Sequence, residues 1–469
     1  MNLKIFNVAL TATVIVFASP VFANSVISDE DLAKINSWGS NRPSDELYLQ
    51  YKSVFDNPLY YNQETGAVNW PANDGFGETP YDQTLGVGTW IDRFGSDYGT
   101  FVCPAGIPYT MRSCAPGTED KPYSVFVLKK STDVQAGIIS PWFDEEGNGY
   151  QYVLPTSVMN LISSGNLRRV EQWEFASDDH AQPAIIVQQR SMTGRILAEH
   201  LLNVGDNDVW IKFSRRVGNL SNDGDYNSNT VYGGYDRVRN ENWRDGLFVT
   251  YGRTNYSSNT ADAKIDDTRI GLYTSYTKDR DSAFVYLDYG RQKNNFERHV
   301  DEIYLDSNAK YNSHIIEFGG EYKHNLNDDN NAWLVSPYVD LTASYLKQSN
   351  YTEEITDIFG QNVDMKNNFY AALNPGIEFR RNLGNGNLAV RLGCEYAFTG
   401  TKPKFKFNYA NYDRSVYELE SRADKLHWTL GINGNFDISR DWKLGLDAAY
   451  QRSAHEDELS AAVQVQYTW

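Results

Sequence analysis

Long apolar runs are missing from this chain of 469 residues. Past its first two dozen residues nothing approaches the roughly 20 consecutive apolar residues that a membrane-spanning helix needs. Cysteine is scarce: there are three, Cys103, Cys114 and Cys394, and no Cys/His spacing of a zinc site accompanies them. Positive charge is in deficit, with 43 Lys and Arg against 61 Asp and Glu and a formal net charge of −18. That balance argues against a nucleic-acid-binding surface, which needs a basic patch. There is no Walker loop, no paired-His metalloprotease helix and no nucleophile elbow. A lone Gly86-Val87-Gly88 without a strand–helix–strand context does not make a Rossmann domain. No metal and no prosthetic group are expected.

What is abundant is aromatic. The chain carries 32 Tyr and 11 Trp at a mean hydropathy of −0.55. A polar average combined with many Tyr and Trp fits a β-barrel in lipid, where alternate residues are apolar and aromatic girdles mark the interfaces. Met1–Ala23 reads as a secretory signal peptide. Lys4 supplies the positive region, Val8–Phe17 the short apolar core and Val21-Phe22-Ala23 the small-residue cleavage site, so the mature chain is expected to begin at Asn24. Cys103 and Cys114 would then meet an oxidising compartment, where their spacing suggests a disulfide; the alternative is two free thiols.

From about Val209 onward the pattern is period-two alternation. In Leu459–Trp469 one face carries Leu459, Ala461, Val463, Val465, Tyr467 and Trp469, and the other Ser460, Ala462, Gln464, Gln466 and Thr468. Trp442, Leu444, Leu446, Ala448 and Tyr450 form another apolar face, as do Leu426, Trp428, Leu430, Ile432, Phe436 and Ile438. A soluble β-sandwich also alternates, but here the apolar faces end in aromatics and the polar faces suit a wet lumen. About twelve antiparallel strands are expected. They start near Val209, Thr230, Leu247, Arg269, Ala283, His314, Trp333, Phe369, Leu388, Leu426, Trp442 and Leu459. Asn325–Asn331 and Asn385–Asn387 read as tight turns, and Tyr351–Lys366 and Thr399–Arg422 as longer loops facing outside. Lipid offers no partner to free backbone groups, so closure into a transmembrane barrel is required.

Residues 171–208 read as a connector in which Ala184–Leu202 is compatible with a helix, weakened at Gly194. A signal peptide, an N-terminal domain, a helical connector and a C-terminal barrel ending in an aromatic together resemble an autotransporter. The opening Val209-Trp210-Ile211-Lys212 resembles the first strand of such barrels. The terminal Val463, Val465, Tyr467, Trp469 series resembles the signal read by the outer-membrane barrel assembly machinery. The resemblance implies a helix threading the lumen, export of the preceding domain to the cell surface, and outer-membrane lipid as the barrel's surroundings. A free-standing porin or adhesin barrel is the alternative.

The segment 24–170 is irregular and suits a compact α+β passenger domain. Its motifs run in order: Asn69-Trp70-Pro71-Ala72-Asn73-Asp74-Gly75-Phe76, Gly88-Thr89-Trp90-Ile91-Asp92-Arg93-Phe94-Gly95, Gly99-Thr100-Phe101-Val102-Cys103-Pro104, Met111-Arg112-Ser113, Pro122-Tyr123-Ser124-Val125, Ser140-Pro141-Trp142-Phe143 and Gly149-Tyr150-Gln151-Tyr152. This series resembles the tuberculosis necrotizing toxin domain, a family of secreted NAD glycohydrolases. The resemblance implies NAD or NADP as substrate rather than cofactor, and Gln151 as the catalytic side chain. It also implies Arg93, Phe101, Arg112 and Ser124 as substrate-binding residues, with Arg93 and Arg112 suited to pyrophosphate by their guanidinium forks. Each has a plainer reading. Arg93 would pair with Asp92 or Asp97, Arg112 would be a solvated charge, Phe101 a core residue, and Gln151 a turn-capping side chain. Ser124 stands where some family members carry His. Asp144, Glu145 and Glu146 are candidate carboxylates near the ribose or simply a solvated acidic loop. The functional alternatives are therefore a surface-displayed NAD glycohydrolase toxin and a non-catalytic display or adhesin module.

Overall fold

A computed structural model describes residues 27–171, 174, 177–202, 204–221, 223–300, 305–328, 333–354, 360–409 and 416–469. The expected signal peptide, Met1–Ala23, lies outside the described residues, as does the end of the turn expected at Asn325–Asn331. The chain divides into two compact units at Arg168, with the short stretch Val125–Val127 counted in the second.

The first unit opens with three short helices, α1 (Asp29–Ser37), α2 (Asp45–Gln50) and α3 (Lys52–Phe55). Ser28 and Ser44 cap the first two, each accepting from a backbone N–H three residues on at 3.1 Å, which satisfies donors that a helix start leaves orphaned. Ile35, Trp38, Tyr48, Val54, Phe55 and Tyr61 from this region pack with Phe143 into one apolar cluster. The remainder is a seven-stranded sheet. Its strands are β1 (Tyr81–Leu85), β2 (Trp90–Phe94), β3 (Phe101–Pro104), β4 (Tyr123–Leu128), β5 (Thr132–Ile138), β6 (Tyr150–Val153) and β7 (Leu167–Arg169), ordered β1-β5-β6-β3-β2-β4-β7. Helix α4 (Val158–Ser163) follows β6 and is capped by Ser157. The α+β reading of this region holds.

The second unit holds the barrel. Its strands are β8 (Asn207–Asn219), β9 (Asp225–Asn240), β10 (Trp243–Ser257), β11 (Ala261–Lys278), β12 (Asp281–Val300), β13 (Leu305–His324) and β14 (Leu334–Gln348). After β15 (Tyr351–Thr352) and β16 (Gln361–Met365) come β17 (Asn368–Leu383) and β18 (Gly386–Thr399). After β19 (Lys404–Tyr409) and β20 (Tyr417–Glu420) come β21 (Leu426–Asp437), β22 (Trp442–Arg452) and β23 (Asp457–Thr468). Twelve of these close into an antiparallel barrel, sealed where β23 pairs with β8 (Val463 opposite Phe213). Closure gives every strand two partners and leaves no edge in lipid. Outward positions carry exposed apolar side chains such as Ile211, Ile270, Leu272, Leu287 and Trp428. Trp243, Trp442 and Trp469 mark the end of the short turns, as an interfacial girdle does.

The two segments expected as outer loops carry strands in their described parts; residues 355–359 and 410–415 within them lie outside the described residues. Parts of Tyr351–Lys366 and Thr399–Arg422 pair with each other into a four-stranded sheet, β15-β16-β19-β20. Val363, Met365, Phe405 and Phe407 are buried there, so neither segment hides its apolar face alone.

The connector differs as well. The single helix expected over Ala184–Leu202 is two, α5 (Gln182–Gln189) and α6 (Thr193–His200). The break falls at Arg190–Met192 rather than at Gly194. Barrel groups claim the backbone and side chains of the break: Arg190 pairs with Glu456 at 2.5 Å, Ser191 donates to Glu317 at 2.7 Å, and Arg216 donates to the Arg190 carbonyl. Both helices lie in the lumen. Gln188 donates to Ser344, Arg195 to Ser460, and His200 meets Asp236; Ile196 and Leu197 pack on Trp210, Phe248 and Tyr286. The chain enters from the long-loop mouth, where His180 contacts Tyr351 (2.5 Å) and Gln361 (3.1 Å) of the four-stranded sheet.

Candidate active site

The chemistry expected from the sequence falls on adjacent strands of the first unit. Gln151 lies on β6, directly opposite Gly137 of β5, and Phe101 on β3 lies opposite Val153 of β6. Directly paired residues share a face, as do residues two apart on one strand. Phe101 and Gln151 therefore share one face as a diagonal pair, a relation that places the backbones about 7–8 Å apart. Phe101 is 44% exposed, so it is not the core residue its plainer reading required.

Gln151 is half-buried under the turn at Asn73–Gly75. Its Nε2 donates to the backbone carbonyl of Asp74 at 3.1 Å. Asn73, Asp74 and Gly75 all have positive φ, at 60°, 52° and 80°, a run that Asn, Asp and Gly tolerate best. Gly77 and Ser140 tie this turn to β5 and the segment after it, through N–H bonds to Ile138 and from Ser140 to Gly75, each 2.9 Å. On the far side, Gly149 allows close approach to Met111: a Cβ there would stand 2.4 Å from the Met111 carbonyl. The loop is pinned by N–H bonds from Gly149 to Met111 (3.0 Å) and from Gly147 to Thr110 (3.2 Å).

Arg93 on β2 lies against the Gly99 backbone, with no room for a Cβ beneath the guanidinium. Its Nη1 donates to the Phe101 carbonyl at 3.3 Å, while its Nε is buried without a hydrogen-bond partner among the described residues. Burial lowers its pKa against the opposing pull of Asp97. Nε lies out of reach of solvent, so any anion would meet the guanidinium through its terminal N–H groups.

Arg112 and Ser124 depart from expectation. Arg112 is buried and forked onto Asp92 at 2.5 and 2.7 Å, and it also donates to the Ile107 carbonyl. Asp92, wholly buried, further accepts from Tyr123 (2.6 Å) and the Gly106 N–H (3.0 Å). Arg112 is thus neither a solvated charge nor presented to phosphate; its charge is neutralised inside the domain, where a carboxylate needs it. Ser124 is buried within β4, every residue of which is buried, and does not face a ligand surface.

Cys103 and Cys114 are free thiols, so the expected disulfide is absent from the structure. Burial pushes them up to about 12 and about 11 respectively, which makes them poor nucleophiles. In the acidic loop, Asp144 accepts from the Tyr60 hydroxyl at 3.0 Å. Glu145 is raised, first by burial and then by Glu119, Glu146 and Asp144. The Asp92 carboxylate offered by sequence to Arg93 is held by Arg112 instead, and the Asn73–Gly75 turn joins the site without a role assigned to it by motif. The Asn-Asp-Gly triplet signals the turn; nothing local signals the pairing of Asp92 with Arg112.

Fold and site together define an outer-membrane barrel translocator carrying a toxin-like domain for the cell surface. Residues 209–449, just over half the chain, match the model of the autotransporter beta-domain. The chain belongs to the autotransporter family, with its barrel in the outer membrane and its passenger at the surface. Residues 84–170 match the model of the tuberculosis necrotizing toxin. The conidial surface nicotinamide adenine dinucleotide glycohydrolase nadA of Aspergillus fumigatus is 39% identical over 123 residues, covering 24% of this chain and 53% of that protein. The chain thus spans about half the length of that curated relative. The translocator domain of autotransporter NalP from Neisseria meningitidis shares the fold at a TM-score of 0.53 and 17% identity, covering 62% of this chain and 99% of that one.

Proposed function

We propose that the surface domain hydrolyses the bond between nicotinamide and ribose in NAD or NADP, with Gln151 as the catalytic side chain. The observation that carries this reading is the pairing of an exposed Phe101 with Gln151 on one sheet face, with the Arg93 guanidinium bonded to the Phe101 carbonyl. Phe101 offers an aromatic surface to the ligand, and Arg93 receives the pyrophosphate. Cleavage passes through an oxocarbenium-like state. Nicotinamide leaves a cationic precursor as a neutral base, so no general acid is needed. Water adds to the ribose carbon and its proton passes to solvent, giving ADP-ribose or its phosphorylated form. NAD is substrate here, and no cofactor enters the chemistry. The barrel carries the domain outward after insertion into outer-membrane lipid by the assembly machinery, which reads the terminal Tyr467 and Trp469.

The test is release of nicotinamide by the purified full-length protein in detergent micelles, followed chromatographically. Gln151→Ala is expected to lower turnover by about 10²-fold, the scale of losing one preorganised polar group. Absence of release by folded wild-type protein at millimolar NAD would leave a non-catalytic display module as the function.

A further inference from the structure

We infer that the carbonyl of the strained Asn73–Gly75 turn fixes the amide of Gln151 so that Oε1, not Nε2, faces the substrate as a hydrogen-bond acceptor. The inference rests on the glycohydrolase reading above and specifies what its central residue does.

A glutamine amide has two ends with opposite capacities, and at ordinary precision they look alike. Here the partner decides between them. The group 3.1 Å from one end is a backbone carbonyl, which only accepts. The end that meets it must be the NH2, and the opposite end must be oxygen. No hydrogen-bond partner for Oε1 occurs among the described residues, and the side chain is half-exposed, so this acceptor points to open space on the Phe101 face.

The turn is built to hold that carbonyl in place. Three consecutive positive φ values, 60°, 52° and 80°, aim the Asp74 carbonyl at β6. The Ser140 N–H anchors the adjacent Gly75 carbonyl at 2.9 Å. Gly75 is required by its φ of 80° rather than by space, since a Cβ on it would make only ordinary contact with Gln151 Nε2 at 3.5 Å. Asp74 thus acts through Gln151, as a positioning residue supplied by its backbone. The ligand group that Oε1 accepts from carries an O–H, either the attacking water or a ribose hydroxyl.

This orientation separates Gln from Glu in a way that pH can read. A glutamate carboxylate at 151 has no proton to give the Asp74 carbonyl. The two oxygens repel and the side chain loses its register. Once protonated, the carboxyl donates through its O–H to Asp74 and turns its carbonyl outward, reproducing the glutamine. An ordinary Glu titrates at about 4.3, and a neighbouring carbonyl with partial burial favours the protonated form. The experiment measures kcat and KM for NAD with full-length wild type and Gln151→Glu in micelles, from pH 7.5 to 5. Gln151→Glu is expected to fall by about 10²-fold at pH 7.5, the scale of a lost oriented polar group. Relative to wild type at the same pH it should regain about tenfold by pH 5, as protonation spreads through the population. Recovery in the same purified protein excludes misfolding as the cause. A change confined to kcat assigns the O–H to water, and a rise in KM as well assigns it to ribose. Loss independent of pH, or a glutamate variant as active as wild type at pH 7.5, overturns the orientation while leaving the glycohydrolase reading intact. Wild-type protein without turnover overturns both.

Discussion

The assignment of Arg112 to the interior makes the most discriminating prediction. Arg112→Met keeps the length of the side chain and removes its charge. Asp92 would then stay wholly buried with only Tyr123 and the Gly106 N–H as donors, in place of a bidentate guanidinium at 2.5 and 2.7 Å. Removing one partner of such a pair costs about 3–5 kcal/mol, because the other charge is left uncompensated. For a domain of this size 1 kcal/mol moves the melting point by about 3 °C. Arg112→Met should therefore lower the surface domain's transition by about 10–15 °C, read by pulse proteolysis of the full-length protein in micelles. Adding Asp92→Asn should return about half of the loss, since the stranded charge is removed with its partner. Below its transition, Arg112→Met should keep the wild-type KM for NAD. A melting point changed by less than about 2 °C, together with a raised KM, would refute the argument and place the guanidinium on substrate phosphate.

Phe101→Ala should leave stability within about 0.5 kcal/mol, as for other exposed positions. It should raise KM about tenfold, in keeping with the roughly 1–3 kcal/mol of a base stacked on an aromatic ring; an unchanged KM would reject the contact. Asp56 provides an acid-side test. Burial alone would raise its carboxyl, but hydrogen bonds from Lys34, Lys52 and Tyr48 outweigh burial and hold it at about 2. Its contribution is thus complete above the ordinary carboxyl value of about 4 and is lost as pH falls through about 2. With the side chain 32% exposed, that contribution is about 1 kcal/mol after screening. Asp56→Asn should flatten the acid limb of stability between those values, and an equally steep limb would count against it. Deleting Trp469, which stacks on Tyr467 and Tyr235 and donates its N–H to Asn207, should reduce the heat-modifiable barrel band in outer-membrane fractions. Undiminished surface levels would reject its role in assembly.

The barrel was legible because each strand segment in lipid must show apolar residues outward and polar residues inward. All twelve expected strands are present, yet Arg269 and His314 fall well inside β11 and β13, which begin at Ala261 and Leu305. The missed beginnings carry Asp262 and Lys264, and Asp306, Asn308 and Lys310, at exposed positions. β12 runs for 20 residues, whereas a spanning strand needs about 9–11. Beyond the lipid the backbone ladder continues, but the outward face turns charged while the inward face, with Ala261, Ala263, Ala309 and Tyr311, is buried, so the apolar-outward pattern that marks lipid disappears. The four-stranded sheet at the mouth leaves no mark in the local sequence pattern. Its stabilising partners lie on separate insertions, as where Val363 opposes Phe407, and no local pattern encodes that meeting. The break between α5 and α6 is likewise written in Glu456, Glu317 and Arg216, all outside the connector.

Within the surface domain, a residue's type told less than what its neighbours demand of it. Arg93 and Arg112 are equivalent in sequence as candidate phosphate ligands. They are separated by Asp92, a carboxylate 20 positions before Arg112 that faces the interior and consumes one guanidinium entirely. The burial of Ser124 is written in its neighbours: it precedes the run Val125-Phe126-Val127-Leu128, and a continuous apolar run marks a strand covered on both faces. The burial of all six residues of β4 follows that pattern. This bears on the Ser in place of the His that some family members carry. A side chain inside a fully covered strand reaches neither ribose nor water, so the exchange alters packing behind the site rather than the groups facing it. The departure at Ser124 therefore gives no support to a domain that has lost its chemistry, and the question passes to Gln151, Arg93 and Phe101, where the oriented acceptor, the guanidinium and the exposed ring remain.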